Sequence, residues 1–227
     1  MKGTVFLILF CSVLLNIPVM SQKVSSDKGK YLLSLGMGAD YSSTPSFTDY
    51  LKNELPLSAQ DSIKPFSIGV EFFVGIEYRF LKVASIKLDY SYYLRSNRYT
   101  FAYYVFDYTL TSHQPYLMFF YKLDNKKIDL KFGGGAGYHF HILSNNISSN
   151  STKSYTSSGI GIRGEIIFAP RFSKVLETYI SGYVFGSASS SIKDESGNLL
   201  KGSSTGKEVN LGGYGVGARL GLSIYLN

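Results

Sequence analysis

The chain has 227 residues, of which 44% are hydrophobic and 15% aromatic, with 23 Gly and no Trp. This length suits one sizeable domain. The net charge is +7, but the lysines are dispersed and form no basic arm or patch, so we expect no nucleic-acid partner.

The first 21 residues have the features of a secretory signal peptide. Lys2 precedes an apolar run from Val5 to Leu15, and Val19 and Ser21 have the spacing that a signal peptidase prefers. The run is short for a membrane-spanning helix. We therefore expect residues 1–21 to be cleaved and residues 22–227 to form the mature domain. The only cysteine is in this leader, so the mature chain would have neither a disulfide nor a thiol.

Most of the mature chain alternates between large apolar residues and small or charged ones. Within residues 66–80, Phe72 and Tyr78 fall on one side, and Glu71 and Glu77 fall on the other. This period of two predicts a β-strand. The same alternation recurs near residues 31–41, 86–95, 128–142, 156–168 and 213–224.

Two further segments are less regular. Residues 114–123 are apolar on both sides, so they predict a strand whose facing the pattern does not assign. Residues 175–187 predict a strand with Leu176, Ile180 and Val184 facing outward. The residues of that strand that we expect to face inward are Glu177, Tyr179, Ser181 and Tyr183.

The connections alternate in length. They are short near 81–84, 124–127 and 169–174, and long and polar near 43–65, 97–113, 144–155 and 188–207. This arrangement predicts an all-β fold, an eight-stranded antiparallel up-and-down barrel with short turns on one rim and four loops on the other. Eight strands leave an interior just wide enough for side chains. The bulky faces cannot share it, so we expect them to contact lipid in a transmembrane barrel.

These patterns resemble the small eight-stranded outer-membrane barrels of Gram-negative bacteria, such as the membrane domain of OmpA and the OmpX group. The resemblance covers about Lys30 to Asn227 and rests on the alternation. The chain ends with Tyr225, Leu226 and Asn227, whereas such barrels commonly end in an aromatic residue. The resemblance implies a monomer in the outer membrane, in contact with its lipid and lipopolysaccharide.

The inward faces are expected to carry seven acids and six bases, close to balance. Because buried charges are costly unless paired, we expect cross-strand ion pairs to fill the lumen. Glu77 should face Lys87, since the alternative register sets it opposite Asp89, a like charge. The expected network comprises Asp40, Glu71, Glu77, Arg79, Lys87, Asp89, Arg95, Asp129, Lys131, Arg163, Glu165, Glu177 and Arg219.

Two histidines on the inward face are the only candidates for chemistry. His139 and His141, followed by Ser144, raise the possibility of a lipid A-modifying enzyme, but His141 and Ser144 are separated by the predicted end of a strand and no acidic partner stands out. A metal site at the two histidines lacks further assigned ligands. We expect lumen hydrogen bonding, with no catalytic site, metal or cofactor.

Residues 98–113 are strongly β-prone for a loop. They predict either a ribbon that extends two strands and binds a protein partner by strand addition, or a cap folded over the barrel. The sequence thus favours a non-enzymatic scaffold that displays surface loops for envelope integrity, adhesion or defence. A small-solute pore and a lipid A-modifying enzyme are the alternatives.

Overall fold

The computed structural model describes residues 30–54, 67–101, 104–124, 128–147, 150–170, 175–203 and 205–226. The predicted leader and its cleavage site at Ser21 lie outside these residues. The elements are β1 (Tyr31–Ser43), α1 (Pro45–Glu54), β2 (Ile68–Arg79), β3 (Ala84–Phe101), β4 (Tyr104–Asp124), β5 (Ile128–Ile147), β6 (Asn150–Pro170), β7 (Leu176–Ser189), β8 (Lys193–Asp194) and β9 (Gly213–Leu226).

The strands form one closed antiparallel sheet. Neighbours in sequence pair with one another from β1 to β7, and β9 closes the ring by pairing with both β7 and β1. The two-residue β8 pairs with β6 outside this ring. The predicted eight-stranded up-and-down barrel is therefore confirmed.

The predicted division between the two faces is also found. On β2, Phe72 is 48% exposed on the outer surface, whereas Glu71 is fully buried inside. The facing of β4, which the sequence pattern does not assign, is visible in the structure: Tyr116 and Met118 point inward, and Phe119 points outward. On β7 the predicted facing is confirmed, with Ile180 and Val184 exposed and Glu177, Tyr179, Ser181 and Tyr183 buried.

Four adjacent strands are taller than the others. β3, β4, β5 and β6 have 18, 21, 20 and 21 residues, whereas β1, β2, β7 and β9 have 12 to 14. Residues 98–113 form the ribbon alternative, because strand pairing continues through most of them. The predicted loop at 144–155 is wrong, because pairing continues through most of it as well. We call the raised part of these strands, residues 95–101, 104–112, 143–147 and 150–158, the wall.

The outer surface of these strands changes polarity where the wall begins. On β3 it changes from Leu94 to Ser96, and on β5 from Ile142 to Ser144. A strand that leaves a lipid layer and enters water needs this change on its outer side. The change marks one boundary of the apolar belt.

The helix α1 occupies part of the predicted 43–65 loop, and the alternation pattern gave no signal for it. Thr44 and Pro45 start the helix, and proline is favoured at a first helical position because its missing N–H would have no partner there. Phe47 and Leu51, one turn apart, are both fully buried. Among the described residues, no helix is long and apolar enough to span a membrane.

The helix packs into the mouth of the barrel against the inner side of the wall. Here the helix meets the apolar inward residues Tyr108, Leu110 and Leu143, whereas the lumen below is lined by charged residues. The segment 190–212 closes over the same surface through Ile192, Val209 and Leu211. We call this group the cap cluster: Phe47, Leu51, Tyr108, Leu110, Leu143, Ile192, Val209 and Leu211.

Candidate functional site

The barrel interior is the candidate site, because alternation along the strands brings all the predicted charged residues there. Twelve of the thirteen are buried, and the side chain of Arg79 is 14% exposed. Each has a polar partner. The charges form three groups along the barrel axis.

The central group, which we call the central ion network, joins Glu71, Asp89, Arg163, Glu165 and Arg219. Arg219 bonds to Glu71, and its Nη1 lies 3.0 Å from Asp89 Oδ2 and 3.4 Å from Glu165 Oε2. Arg163 Nη1 lies 3.2 Å from Asp89 Oδ2. Two guanidinium groups thus share three carboxylates from different strands, which supplies the partners that buried charges need.

Aromatic rings fill the space around these guanidinium groups. The Arg163 guanidinium carbon is 4.1 Å from the Tyr116 ring centroid, and that of Arg219 is 4.6 Å from the Phe73 centroid. Such contacts add cation–π attraction. The Tyr183 hydroxyl donates to Glu71 Oε2 at 2.9 Å, and a Cβ built on Gly217 would lie 2.3 Å from its ring. The glycine makes room for the tyrosine.

A second group lies toward the rim that carries the short turns. Lys131 Nζ donates to both carboxylate oxygens of Glu77, at 2.9 and 2.8 Å. Glu77 is also opposite Lys87 in the register, as predicted. At the same rim, Arg79 donates to the Tyr225 hydroxyl at 3.0 Å, and that hydroxyl donates to Glu177. Lys122 also lies there, 3.2 Å from Asp129.

The third group lies just below the cap cluster. Arg95 forms an ion pair with Asp40. The Tyr116 hydroxyl and His139 Nε2 are 2.6 Å apart, and Ser112 Oγ and His141 Nδ1 are 2.7 Å apart. The histidines therefore hydrogen-bond within the lumen, where the sequence placed them.

The serine considered for the enzyme alternative lies elsewhere. Ser144 belongs to β5 rather than to a loop, which corrects the predicted strand end, and it occupies an outward position of that strand. It pairs with Thr109 and Ser154 in the register. His141, on the inward side, bonds Ser112 instead.

Some members of the site were not identified from the sequence. Lys122, Tyr116 and Ser112 all belong to β4, and the run at 114–123 is apolar on both sides. Residues that lie opposite one another on paired strands face the same side of the sheet. The facing of β4 therefore follows from its pairing with β3, in which Met118 lies opposite the inward-facing Lys87. Tyr183 was predicted to face inward, but its contact with Arg219, like that of Phe73, was not identified from the sequence.

Outside the barrel, the cap has its own electrostatics. Burial against the cap cluster raises the pKa of Tyr50 to about 12, and the nearby Glu54 carboxylate adds to the shift. On the 190–212 segment, hydrogen bonds from Asn198 lower the pKa of the exposed Asp194. Its Oδ1 accepts the backbone N–H groups of Ser196 and Asn198 at 2.9 and 2.8 Å. These bonds fix a tight turn over the mouth.

No protein-family model and no curated protein sequence matches the chain. Solved structures do match. A major outer membrane protein from Thermus thermophilus superposes with a TM-score of 0.54 at 13% identity, covering 86% of this chain and 99% of that one. The outer membrane protein OprG from Pseudomonas aeruginosa gives 0.50 at 11%, covering 90% and 100%. The chain has the fold of an outer-membrane β-barrel.

The outer apolar belt exposes Phe72, Leu88 and Ile162, the kind of surface that an outer-membrane barrel presents to the bilayer, and the ion groups are enclosed in the lumen. The wall, α1 and the 190–212 segment stand beyond the belt. The fold supports the predicted outer-membrane location.

Proposed function

We propose that this outer-membrane barrel is a non-enzymatic scaffold that seals its own lumen and displays the wall and cap for adhesion or partner binding. The observation that carries the proposal is a double seal. The side chains of Glu71, Arg163 and Arg219 in the central ion network are fully buried. Above them, Phe47 and Leu51 of α1 are fully buried in the mouth.

The double seal favours a scaffold over a small-solute pore. A solute crossing the barrel would have to displace α1 and separate several buried ion pairs. Charge-selective channels present rings of charged side chains to a water-filled path, whereas here acids and bases are bonded to one another across the interior.

The position of the histidines favours a scaffold over a lipid A-modifying enzyme. His139 and His141 are 0% and 4% exposed, and both point into the lumen. Lipid lies outside the barrel. A nucleophile activated by either histidine would have no path to an acyl chain in the surrounding bilayer.

The wall offers a surface for a protein partner. The pairing of β2 with β3 ends at Val70 and Leu94, so among the described residues the segment 98–101 pairs with a strand on one side only, through β4. An unpaired edge can add an extended segment of another chain. In this proposal the protein is a monomer whose belt contacts lipid and lipopolysaccharide, and the partner is a protein.

Single-channel recording in planar bilayers tests the seal. We expect the purified protein to insert without producing conductance steps. A variant that lacks α1 and has Arg219, Arg163 and Glu71 replaced by serine is the positive control, since it removes both seals while leaving the belt unchanged. Steady conductance by the wild type would overturn the sealed-scaffold proposal, and altered lipid A mass in cells that overproduce it would support an enzyme.

A further inference from the structure

A small cavity lies between the cap cluster and the central ion network. It has a volume of about 10 Å³, enough for one small occupant. Its lining includes the polar residues Ser42, Thr44, Arg95, Gln114, His139 and His141, together with the apolar side chains of Phe185 and Leu211. We call it the histidine chamber. The central ion network lies on one side and α1 on the other.

Two ring nitrogens in the chamber have no partner. Within the part of the chain that the structure describes, His139 Nδ1 and His141 Nε2 are buried without a hydrogen bond. The ring centroids are 5.7 Å apart and the planes are 79° apart. A buried polar atom without a partner is costly. Two such nitrogens in one small chamber therefore indicate that something binds there.

The opposite ring nitrogens are held in the way that metal-bound histidines are held. A histidine that ligates a metal usually donates its other N–H to a nearby oxygen, which fixes the tautomer and the ring orientation. Here Tyr116 Oη lies 2.6 Å from His139 Nε2, and Ser112 Oγ lies 2.7 Å from His141 Nδ1. When each histidine donates to its oxygen, the unpaired nitrogen presents a lone pair to the chamber.

We propose that the histidine chamber binds one divalent transition-metal ion through His139 Nδ1 and His141 Nε2. Imidazole nitrogens suit Cu²⁺, Ni²⁺ and Zn²⁺, and Cu²⁺ should bind most tightly. His139 and His141 are two residues apart on one face of β5, so both rings can bind a single ion. The nearby Arg95 is ion-paired with Asp40, so its charge is offset.

The site would have fewer protein ligands than a structural metal site. No cluster of three or more His, Cys, Asp or Glu side chains that could hold a metal occurs among the described residues. The protein therefore supplies two nitrogen ligands, and water or the oxygens of Thr44 and Gln114 complete the coordination. Structural zinc sites have four protein ligands, so this site instead suits reversible binding beneath the α1 plug.

The chain allows a matched experiment because it has three histidines in total. Full-length mature protein with a histidine-free tag is stripped with chelator and titrated with Cu²⁺ in detergent. We expect one tightly bound Cu²⁺ whose electron paramagnetic resonance spectrum shows two imidazole nitrogens. His139→Asn and His141→Asn should each weaken binding at least tenfold. His113→Asn is the control, since His113 lies on the outer surface and bonds Tyr90.

A second pair of variants tests the supporting contacts. Tyr116→Phe and Ser112→Ala keep both ligands but remove the oxygens that orient them, and should weaken Cu²⁺ binding by about 10- to 100-fold. The shift in migration between boiled and unboiled samples checks that every variant is folded. The proposal is overturned if folded wild type binds no Cu²⁺, or if His113→Asn weakens binding as much as the chamber variants do.

Discussion

Glu77 of β2 lies directly opposite Lys87 of β3, yet its carboxylate binds Lys131 of β5, 2.8 Å away across the lumen. Lys87 instead reaches Asp89 on its own strand, at 2.7 Å. The cause is the narrow interior of the barrel, which brings side chains from non-adjacent strands as close as neighbours in the ladder. Backbone register therefore does not determine the ion-pair partner.

The Glu77–Lys131 bond yields the first prediction. Lys131→Met leaves Glu77 buried, with Arg79 Nε at 3.9 Å as its remaining cation. Breaking a buried pair by removing one partner typically costs about 3–5 kcal/mol, because the other charge stays uncompensated. We expect a loss of this size in the free energy of unfolding, measured by urea titration in lipid vesicles.

Two controls accompany that measurement. Lys82→Met makes the same change at an exposed lysine in the β2–β3 turn and should have little effect. Adding Glu77→Gln to Lys131→Met removes the stranded charge and should recover much of the stability. If the single variant is as stable as wild type, Glu77 and Lys131 are not coupled as the structure indicates.

The strand alternation was predictable because a membrane barrel has lipid outside and a polar lumen inside. Successive residues of β2 or β9 face these two environments in turn. The Glu77–Lys87 register followed from charge repulsion alone. The helix α1 was not predictable, since Phe47 and Leu51 form only one turn of helical pattern. The β5–β6 part of the wall was missed because its outer residues, such as Ser144, are polar and resemble a loop when lipid is the assumed solvent, whereas the β3–β4 part was one of the two alternatives for residues 98–113.

The contact between Gly217 and Tyr183 yields the second prediction. Gly217→Ala would set a Cβ 2.3 Å from the Tyr183 ring, whose hydroxyl bonds Glu71. Overpacking of this kind costs typically about 1–3 kcal/mol. We expect Gly217→Ala to lower the urea midpoint. Gly164→Ala is the matched control, because a Cβ there makes an ordinary 3.6 Å contact with Val184; equal destabilisation by both variants would contradict the packing argument.

The polarity boundary on β3 yields the third prediction. Leu88 and Ser96 face the same side of the strand, but Leu88 lies within the apolar belt and is 56% exposed there. An arginine on the lipid face near mid-membrane costs about 2–4 kcal/mol and far less near the interface. Leu88→Arg should therefore reduce the free energy of unfolding in vesicles, whereas Ser96→Arg should not. Similar losses for the two variants would place Ser96 in the bilayer too.

The fourth prediction concerns α1 at high pH. Tyr50 stacks on Phe47 with ring centroids 6.0 Å apart, and burial raises its pKa to about 12, compared with about 10 in an unfolded chain. The neutral phenol is therefore favoured when α1 is docked. Its contribution is fully present below pH 10 or so and is lost as pH rises through 12.

We expect α1 to become mobile over this interval while the barrel remains closed. A nitroxide attached to Lys52→Cys, on the exposed end of α1, reports the mobile fraction by electron paramagnetic resonance. Tyr50→Phe should reduce the rise in mobility, although burial also raises the pKa of Tyr108 in the same cluster and should preserve part of it. Tyr214→Phe, at a 63% exposed position, is the control. A Tyr50→Phe profile identical to that of wild type would show that this phenol does not hold the helix in the mouth.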